Sequence, residues 1–273
     1  MILGGGSGGY AAALRGSQLG LSVALIEQDK LGGTCLHRGC IPTKALLHAG
    51  EIAHSTRHAG EFGVNAQFHN IDMAGVNSYK DGVVSKLHKG LQGLVKSRNV
   101  TYIEGHGRLV GSNEIEVNGV RYQGKNIVLA TGSYPKTLPG LEIDGHQIIT
   151  SEQALHMDRV PASAIVLGGG VIGCEFASVW KSFGADVTII EGLSHLIALE
   201  DESSSKQLER AFRKRGIKFE LGVKFKSHKV NGDSVTVTLE DGREFTAEVL
   251  LVSVGRGPVT DGIGYQEVGI AMD

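Results

Sequence analysis

The sequence predicts an α/β protein in which one strand, glycine turn, helix and strand unit occurs twice, and three observations carry that prediction. The first is self-similarity. Residues 1–27, MILGGGSGGYAAALRGSQLGLSVALIE, and residues 165–191, IVLGGGVIGCEFASVWKSFGADVTIIE, align at a constant offset of 164. Gly4, Gly5, Gly6 and Gly9 fall on Gly168, Gly169, Gly170 and Gly173, and Glu27 falls on Glu191. The second is that the repeat continues. The turn dipeptides Asn118-Gly119 and Asp241-Gly242 sit between alternating strand-like segments, and each glycine lies 13 residues before the Gly that closes an apolar run, Gly132 or Gly255. The third is composition: 40 glycines against five prolines in 273 residues, with 41% apolar residues, describe a folded chain whose backbone must approach something closely.

Composition also excludes. A net charge of -2 gives no electrostatic basis for binding nucleic acid or a membrane surface. No apolar run reaches the length of a membrane span, and no charged segment precedes a signal-like apolar stretch. Three cysteines without a framework of spacings suit a reducing cytoplasm, where a close pair is catalytic rather than structural.

Taken in order, each copy reads as strand, glycine turn, helix, strand, then an acidic residue 23 positions after the first Gly. That is the full context of a Rossmann dinucleotide fingerprint. The first Gly makes the tight turn, the second admits the pyrophosphate, the third lets helix and strand pack, and the helix N-terminus faces the anion. Glu27 and Glu191 stand where a ribose hydroxyl pair would be bound. Residues 45–58 and 76–95 read as helices, the second from the spacing of Val76, Val83, Leu87, Leu91 and Leu94. Residues 100–130 read as a hairpin-rich β segment. Residues 133–163, with Pro135, Pro139 and Pro161, suit a crossover between domains. A helix over 203–215 ends at Gly216, and 257–273 reads as a return to the first domain.

From Glu27 to Asn118 is 91 residues, whereas Glu191 to Asp241 is 50, so the first copy carries 41 more. Within that excess lies GGTCLHRGCIPTK, residues 32–44, with Cys35 and Cys40 five apart. On an ideal helix they would be rotated about 140° and could not face each other. A disulfide there needs an irregular turn, which Gly33, Gly39 and Pro42 make feasible. The alternative is two unpaired, partly buried thiols.

This segment, following one dinucleotide fingerprint and preceding another, resembles the redox disulfide of the flavoprotein (class I pyridine nucleotide-disulfide) oxidoreductases, most closely their dihydrolipoyl dehydrogenase branch. The resemblance implies two Rossmann-like domains, FAD- and NAD-type, each with a β-meander insertion: residues 1–145 for FAD with the redox segment, 146–258 for NAD, and 259–273 beginning the return. It implies FAD at Gly4, Gly6, Gly9, Glu27, Gly33, Thr34, Lys44, Ala130, Thr131 and Gly132. It implies NAD at Gly168, Gly170, Val171, Ile172, Gly173, Glu191, Gly255 and Arg256. Cys35 corresponds to the thiol that exchanges with substrate and Cys40 to the thiol lying against the flavin. Lys44 would sit near flavin N5, paired with Glu175. Alone, Lys44 would read as a solvated lysine at a helix start; its place in GCIPTK favours the functional role. The eight residues after Glu191, GLSHLIAL, contain no Arg or Lys, which favours NAD over NADP.

The implied activity is oxidation of dihydrolipoamide with NAD as acceptor; the alternatives are a related NAD-dependent disulfide reductase of another low-molecular-weight thiol, or a non-catalytic FAD- and NAD-binding fragment. The resemblance also implies a homodimer for a full-length parent and a 2-oxoacid dehydrogenase complex as partner. The family pattern continues beyond Asp273, so the interface domain is expected to be absent from these 273 residues. Other residues read as structural. Cys174 is a packed thiol, Tyr10 and Trp180 are packing residues, and Glu200-Asp201-Glu202 is a charged helix start. His37 reads as an exposed loop histidine, and His48, His54 and His58 lack metal-ligand spacing, so no metal site is expected.

Overall fold

A computed structural model describes residues 1–272. The chain opens with β1 (Ile2–Leu3), α1 (Ser7–Gln18) and β2 (Ala24–Glu27), then α2 (Gly33–Arg38) and α3 (Cys40–Arg57). A 3-10 turn at Ala59–Phe62 leads to α4 (Met73–Ser97). Strands β3 (Thr101–Glu104), β4 (Gly107–Gly111), β5 (Glu114–Val117), β6 (Val120–Gln123), β7 (Val128–Leu129) and β8 (Ser133–Pro135) follow. Next come β9 (Ile148–Ile149), α5 (Ser151–Ala154), β10 (Ser163–Leu167), α6 (Val171–Phe183), β11 (Asp186–Glu191) and α7 (Glu202–Lys214). The rest is β12 (Lys218–Leu221), β13 (Phe225–Asn231), β14 (Ser234–Leu239), β15 (Glu244–Ala247), β16 (Val249–Val252) and β17 (Arg256–Pro258). Two compact units form, one from 1–41, 82–134 and 257 onward, the other from 42–81 and 135–256.

In the first unit a parallel sheet runs β3-β2-β1-β7, with Ile2 opposite both Leu25 and Val128. The meander β4-β5-β6 turns at Asn118 (φ 51°) and Gly119 (φ 79°), the left-handed pair of a primed hairpin that the Asn-Gly dipeptide foretells. Its Leu109, Ile115 and Val117 pack on Leu3 and Ile26, together with Ile263 and Tyr265 from the returning segment. The amide of Leu109 donates to Ile263 O at 2.9 Å, so the return is pinned to the meander. The last residue of the expected return, Asp273, lies outside the described residues.

In the second unit the parallel sheet runs β12-β11-β10-β16-β9. Its strands read SAIVL and VLLV without alternation because both faces are covered. On one face α6 buries Phe176, Ala177, Val179, Trp180 and Phe183, with Leu46 of α3 in the same cluster. On the other the meander β13-β14-β15 buries Val235, Val237 and Leu239. Each such large side chain contributes about 1.5–3 kcal/mol by leaving water. Trp180 and Tyr10 pack as expected.

The sequence places several element ends late. The first long helix begins at Cys40, not Ala45, because Pro42 falls in the first turn, where a missing N–H has no partner to lose. The second begins at Met73, where Asp72 Oδ1 accepts from Ala74 N at 3.1 Å. The acidic run starts α7 as read, with Asp201 Oδ1 accepting from Ser203 N at 2.8 Å. The crossover segment also contributes β9, which pairs with β16 at the sheet edge; two residues are too short a signal to read from sequence. Among the described residues no helix is long and apolar enough to cross a membrane.

Candidate functional site

In the first unit Gly4, Gly6, Glu27, Gly33, Thr34, Ala130, Thr131 and Gly132 line one cavity of about 210 Å³. The glycines there answer to two different demands. A Cβ on Gly4 would meet Ala130 O at 2.1 Å, and one on Gly9 would meet Gly4 O at 1.8 Å, so protein backbone itself requires both. Gly6 has ordinary extended backbone (φ -71°), and its nearest obstacle would be Gly33 Cα at 3.8 Å. Nothing in the chain forbids a side chain at Gly6, so neither backbone strain nor a close protein contact requires glycine there. Gly6 also precedes α1, whose first turn has neither a side-chain cap nor an acidic residue, leaving its amides for an anion.

Glu27 closes the cradle from the opposite side. Its Oε2 accepts from Gly5 N at 2.6 Å and its Oε1 from Asp29 N at 2.9 Å. Thr131 donates its hydroxyl to Val259 O at 2.7 Å and lies 3.0 Å from Tyr265 Oη, so its side chain ties the strand end to the returning segment. Sequence reasoning missed the ion pair Arg38–Asp29, Lys30 and Asp261 on this rim. Asp29 and Lys30, just past Glu27, were within its reach.

The second unit repeats the design in a larger cavity of about 620 Å³, lined by Gly168, Gly170, Val171, Ile172, Glu191 and Gly255. Glu191 Oε2 accepts from Gly169 N at 2.5 Å and Oε1 from Leu193 N at 2.8 Å, the same two bonds as Glu27 makes. A Cβ on Gly173 would lie 2.0 Å from Gly168 O, whereas one on Gly170 would meet nothing within 4 Å. Val171, Leu193 and Leu199 leave apolar surface exposed around this cavity, with Leu199 97% accessible. Lys224 reaches the lining from the β12–β13 connection, a cation the fingerprint gave no reason to name. Gly173 and Arg256, both expected at the nucleotide, are not among the residues lining this cavity.

The cysteines straddle a helix break. Cys35 lies half-buried on α2, and exposed Cys40 opens α3. Between them Gly39 (φ -148°, ψ -114°) interrupts the helix, and a Cβ there would come 3.1 Å from Thr34 O and 3.5 Å from Cys35 Cα. Gly39 thus puts an irregular turn between the two cysteines, the local feature expected from the sequence. Neither cysteine lines either cavity. His37 is not an exposed loop residue, as the sequence suggested. It sits half-buried on α2, with Nε2 3.0 Å from Leu31 O and its ring edge-on to His88 at 4.8 Å. The periodicity of a six-residue helix is too short to reveal this. Burial, then the His37 imidazole, lowers the pKa of His88.

Lys44 on α3 and Glu175 on α6 meet, Nζ to Oε1, at 2.6 Å. Cys174 next to Glu175 is buried, its pKa pushed up to about 12 by burial and the nearby glutamates, which keeps it an inert thiol. Among the described residues no group of three or more His, Cys, Asp or Glu side chains is placed to hold a metal ion.

The family model described as pyridine nucleotide-disulphide oxidoreductase matches residues 1–273. The mitochondrial dihydrolipoyl dehydrogenase of Pisum sativum is 41% identical over 285 residues, covering 100% of this chain and 57% of the relative. The dihydrolipoyl dehydrogenase of Bacillus subtilis is 40% identical, covering 100% and 61%. The crystal structure of LpdA from Mycobacterium tuberculosis superposes with a TM-score of 0.90 at 29% identity, covering 100% of this chain and 61% of that one. The chain thus spans little more than half the length of these relatives.

Proposed function

This chain belongs to the pyridine nucleotide-disulphide oxidoreductase family, and from that premise we propose that it carries the redox core of a dihydrolipoyl dehydrogenase-type enzyme, passing two electrons from a small dithiol to NAD. The observation that carries the proposal is the pair Cys35 and Cys40 astride the break at Gly39, in a chain with two cradles whose second glycines have room for more than backbone, the nearest atom to a Cβ being 3.8 Å away at Gly6 and beyond 4 Å at Gly170. We assign residues 1–145 to FAD, 146–258 to NAD and the segment from 259 to the return, with the exception that 42–81 and 135–145 cluster with the second unit.

Gly6 and the α1 amides would seat the FAD pyrophosphate, with Glu27, Gly33 and Thr34 beside it; Gly170, Val171 and Ile172 would seat that of NAD. The first cavity is smaller than the ~300–1,000 Å³ usual for a whole ligand, so it suits one part of the dinucleotide. Bound there, FAD would supply a two-electron carrier between thiols and nicotinamide. The chain's own chemistry is thiol exchange. A substrate thiolate attacks the sulfur of Cys35, the Cys35–Cys40 bond breaks, and Cys40 leaves as thiolate; the second substrate thiol then displaces Cys35. The net reaction is dithiol plus NAD⁺ giving disulfide, NADH and a proton. Lys44 would favour the Cys40 thiolate, and Glu175 would orient Lys44. At Glu191 a carboxylate, without Arg or Lys in 192–199, favours NAD over NADP. The dithiol is dihydrolipoamide or a related low-molecular-weight thiol. Homodimerisation, a 2-oxoacid dehydrogenase complex and a cytoplasmic location follow for the whole protein on the same reading.

The test is anaerobic thiol counting. The chain loaded with FAD and treated with NADH should gain two titratable thiols per equivalent, and Cys35→Ser or Cys40→Ser should gain none. An unchanged thiol count in the parent would overturn the reading.

A further inference from the structure

At the ends of three helices of the second unit lies a third cavity, of about 800 Å³, separate from both cradles. The last turns of α3, α6 and α7 line it, with the 3-10 turn that follows α3. Four of its side chains are permanently positive: Arg57, Lys181, Lys214 and Arg215. The lining holds a single carboxylate, Glu61. Among the described residues none of these four cations stands within salt-bridge distance of an acid, although the chain makes such pairs elsewhere in both units.

The two guanidiniums are fixed in place. Arg57 donates to Ser182 O at 2.5 Å and to Phe183 O at 3.5 Å, and lies 3.8 Å over the Phe68 ring. Arg215 donates to Ser178 Oγ at 2.6 Å, Ser178 O at 3.1 Å and Ser182 Oγ at 2.8 Å. The carbonyl end of α6 therefore explains why both arginines point there, since helix C-termini attract cations. It does not explain Lys181 and Lys214, whose ammonium groups make no hydrogen bond or ion pair among the described residues. Desolvation, then the neighbouring His58 imidazole and the Arg215 and Arg57 guanidiniums, lower the pKa of His54 against the opposing pull of Glu61. Two guanidiniums fixed on carbonyl and hydroxyl oxygens, two ammonium groups without an acid and a single carboxylate leave the cavity net positive, which suits an anion of several charges.

We propose that this cavity binds a phosphate-chain anion of the di- or triphosphate class, free or carried by a nucleotide. Its volume exceeds what a single phosphate fills and lies within the ~300–1,000 Å³ of small-molecule sites. Phe62, 80% exposed on the lining, offers a stacking face for a base.

The test is calorimetric titration of the intact chain with inorganic tripolyphosphate at about 0.1 M salt, where exposed long-range attraction is screened. Saturable binding is expected, weakened about tenfold or more in K181Q/K214Q, the scale of losing charge-assisted contacts. Binding should also take up protons, read as a dependence of the heat on the buffer's ionisation enthalpy, and H54Q should abolish that uptake while binding persists. The double variant should keep its melting temperature and its NADH binding. With NAD saturating its own site, a nucleoside triphosphate binding more tightly than tripolyphosphate, and losing that advantage in F62A, would identify a nucleotide. Equal affinities would identify the free phosphate chain. No saturable binding, equal affinity in K181Q/K214Q, or citrate binding as tightly as tripolyphosphate would each overturn the proposal.

Discussion

At Gly173 a Cβ would collide with Gly168 O at 2.0 Å, and at Gly170 it would point into open space, although both belong to one fingerprint. The two positions therefore separate stability from binding. Gly173→Ala must move backbone and should destabilise by about 1–3 kcal/mol, the usual cost of overpacking. Gly170→Ala has compatible backbone (φ -71°) and should leave the melting temperature equal or slightly raised, while NADH binding measured by fluorescence is lost. Equal destabilisation by both would refute the division. Lys44 allows a similar separation. Its side chain is 58% exposed, so the 2.6 Å bond to Glu175 adds little stability. Lys44→Met should keep the fold by circular dichroism and slow NADH-driven disulfide reduction about 100-fold, the scale of removing one preorganised charge. These positions were legible as a pattern because the fingerprint fixes its glycines, and GCIPTK its lysine, at set spacings. Thr131 was legible only as a position: nothing local shows that its hydroxyl is taken by Val259 and Tyr265.

Elements were legible where periodicity or turn chemistry is strong and not where a few residues decide. Asn118-Gly119 turns as its dipeptide demands, yet α3 starts ahead of its apolar pattern because Pro42 is harmless in a first turn. The six-residue α2 left no readable period, which is why His37 was misplaced. The strand β9 is set by Asp144 just before it. Burial pushes the Asp144 carboxyl up, but amides of His146, Ile148 and Gln147, all donating to Oδ1, outweigh it, and the pKa falls below 3.8. A carboxylate with a depressed folded pKa stabilises above its unfolded pKa and loses that contribution as pH falls through the folded one. Asp144→Ala should therefore melt earlier than the parent at pH 7, and the gap should close below pH ~3.8. A gap independent of pH would show that the amides do not matter.

Across the whole chain, duplication made the architecture readable: two copies of one fingerprint predict two similar sheets, and each acid makes the same two backbone bonds in its own copy. The cationic cavity was invisible because its charges come from three helix ends far apart in sequence. The central claim is that both cradles and the Cys35–Cys40 pair work together in this chain. The most direct test is the visible spectrum of the purified protein given FAD, recorded again after anaerobic NADH. A retained, protein-perturbed flavin spectrum that gains long-wavelength absorbance with NADH, lost in Cys40→Ser, is the result expected here. A colourless protein, or bound FAD whose spectrum NADH changes identically in Cys40→Ser, would contradict it.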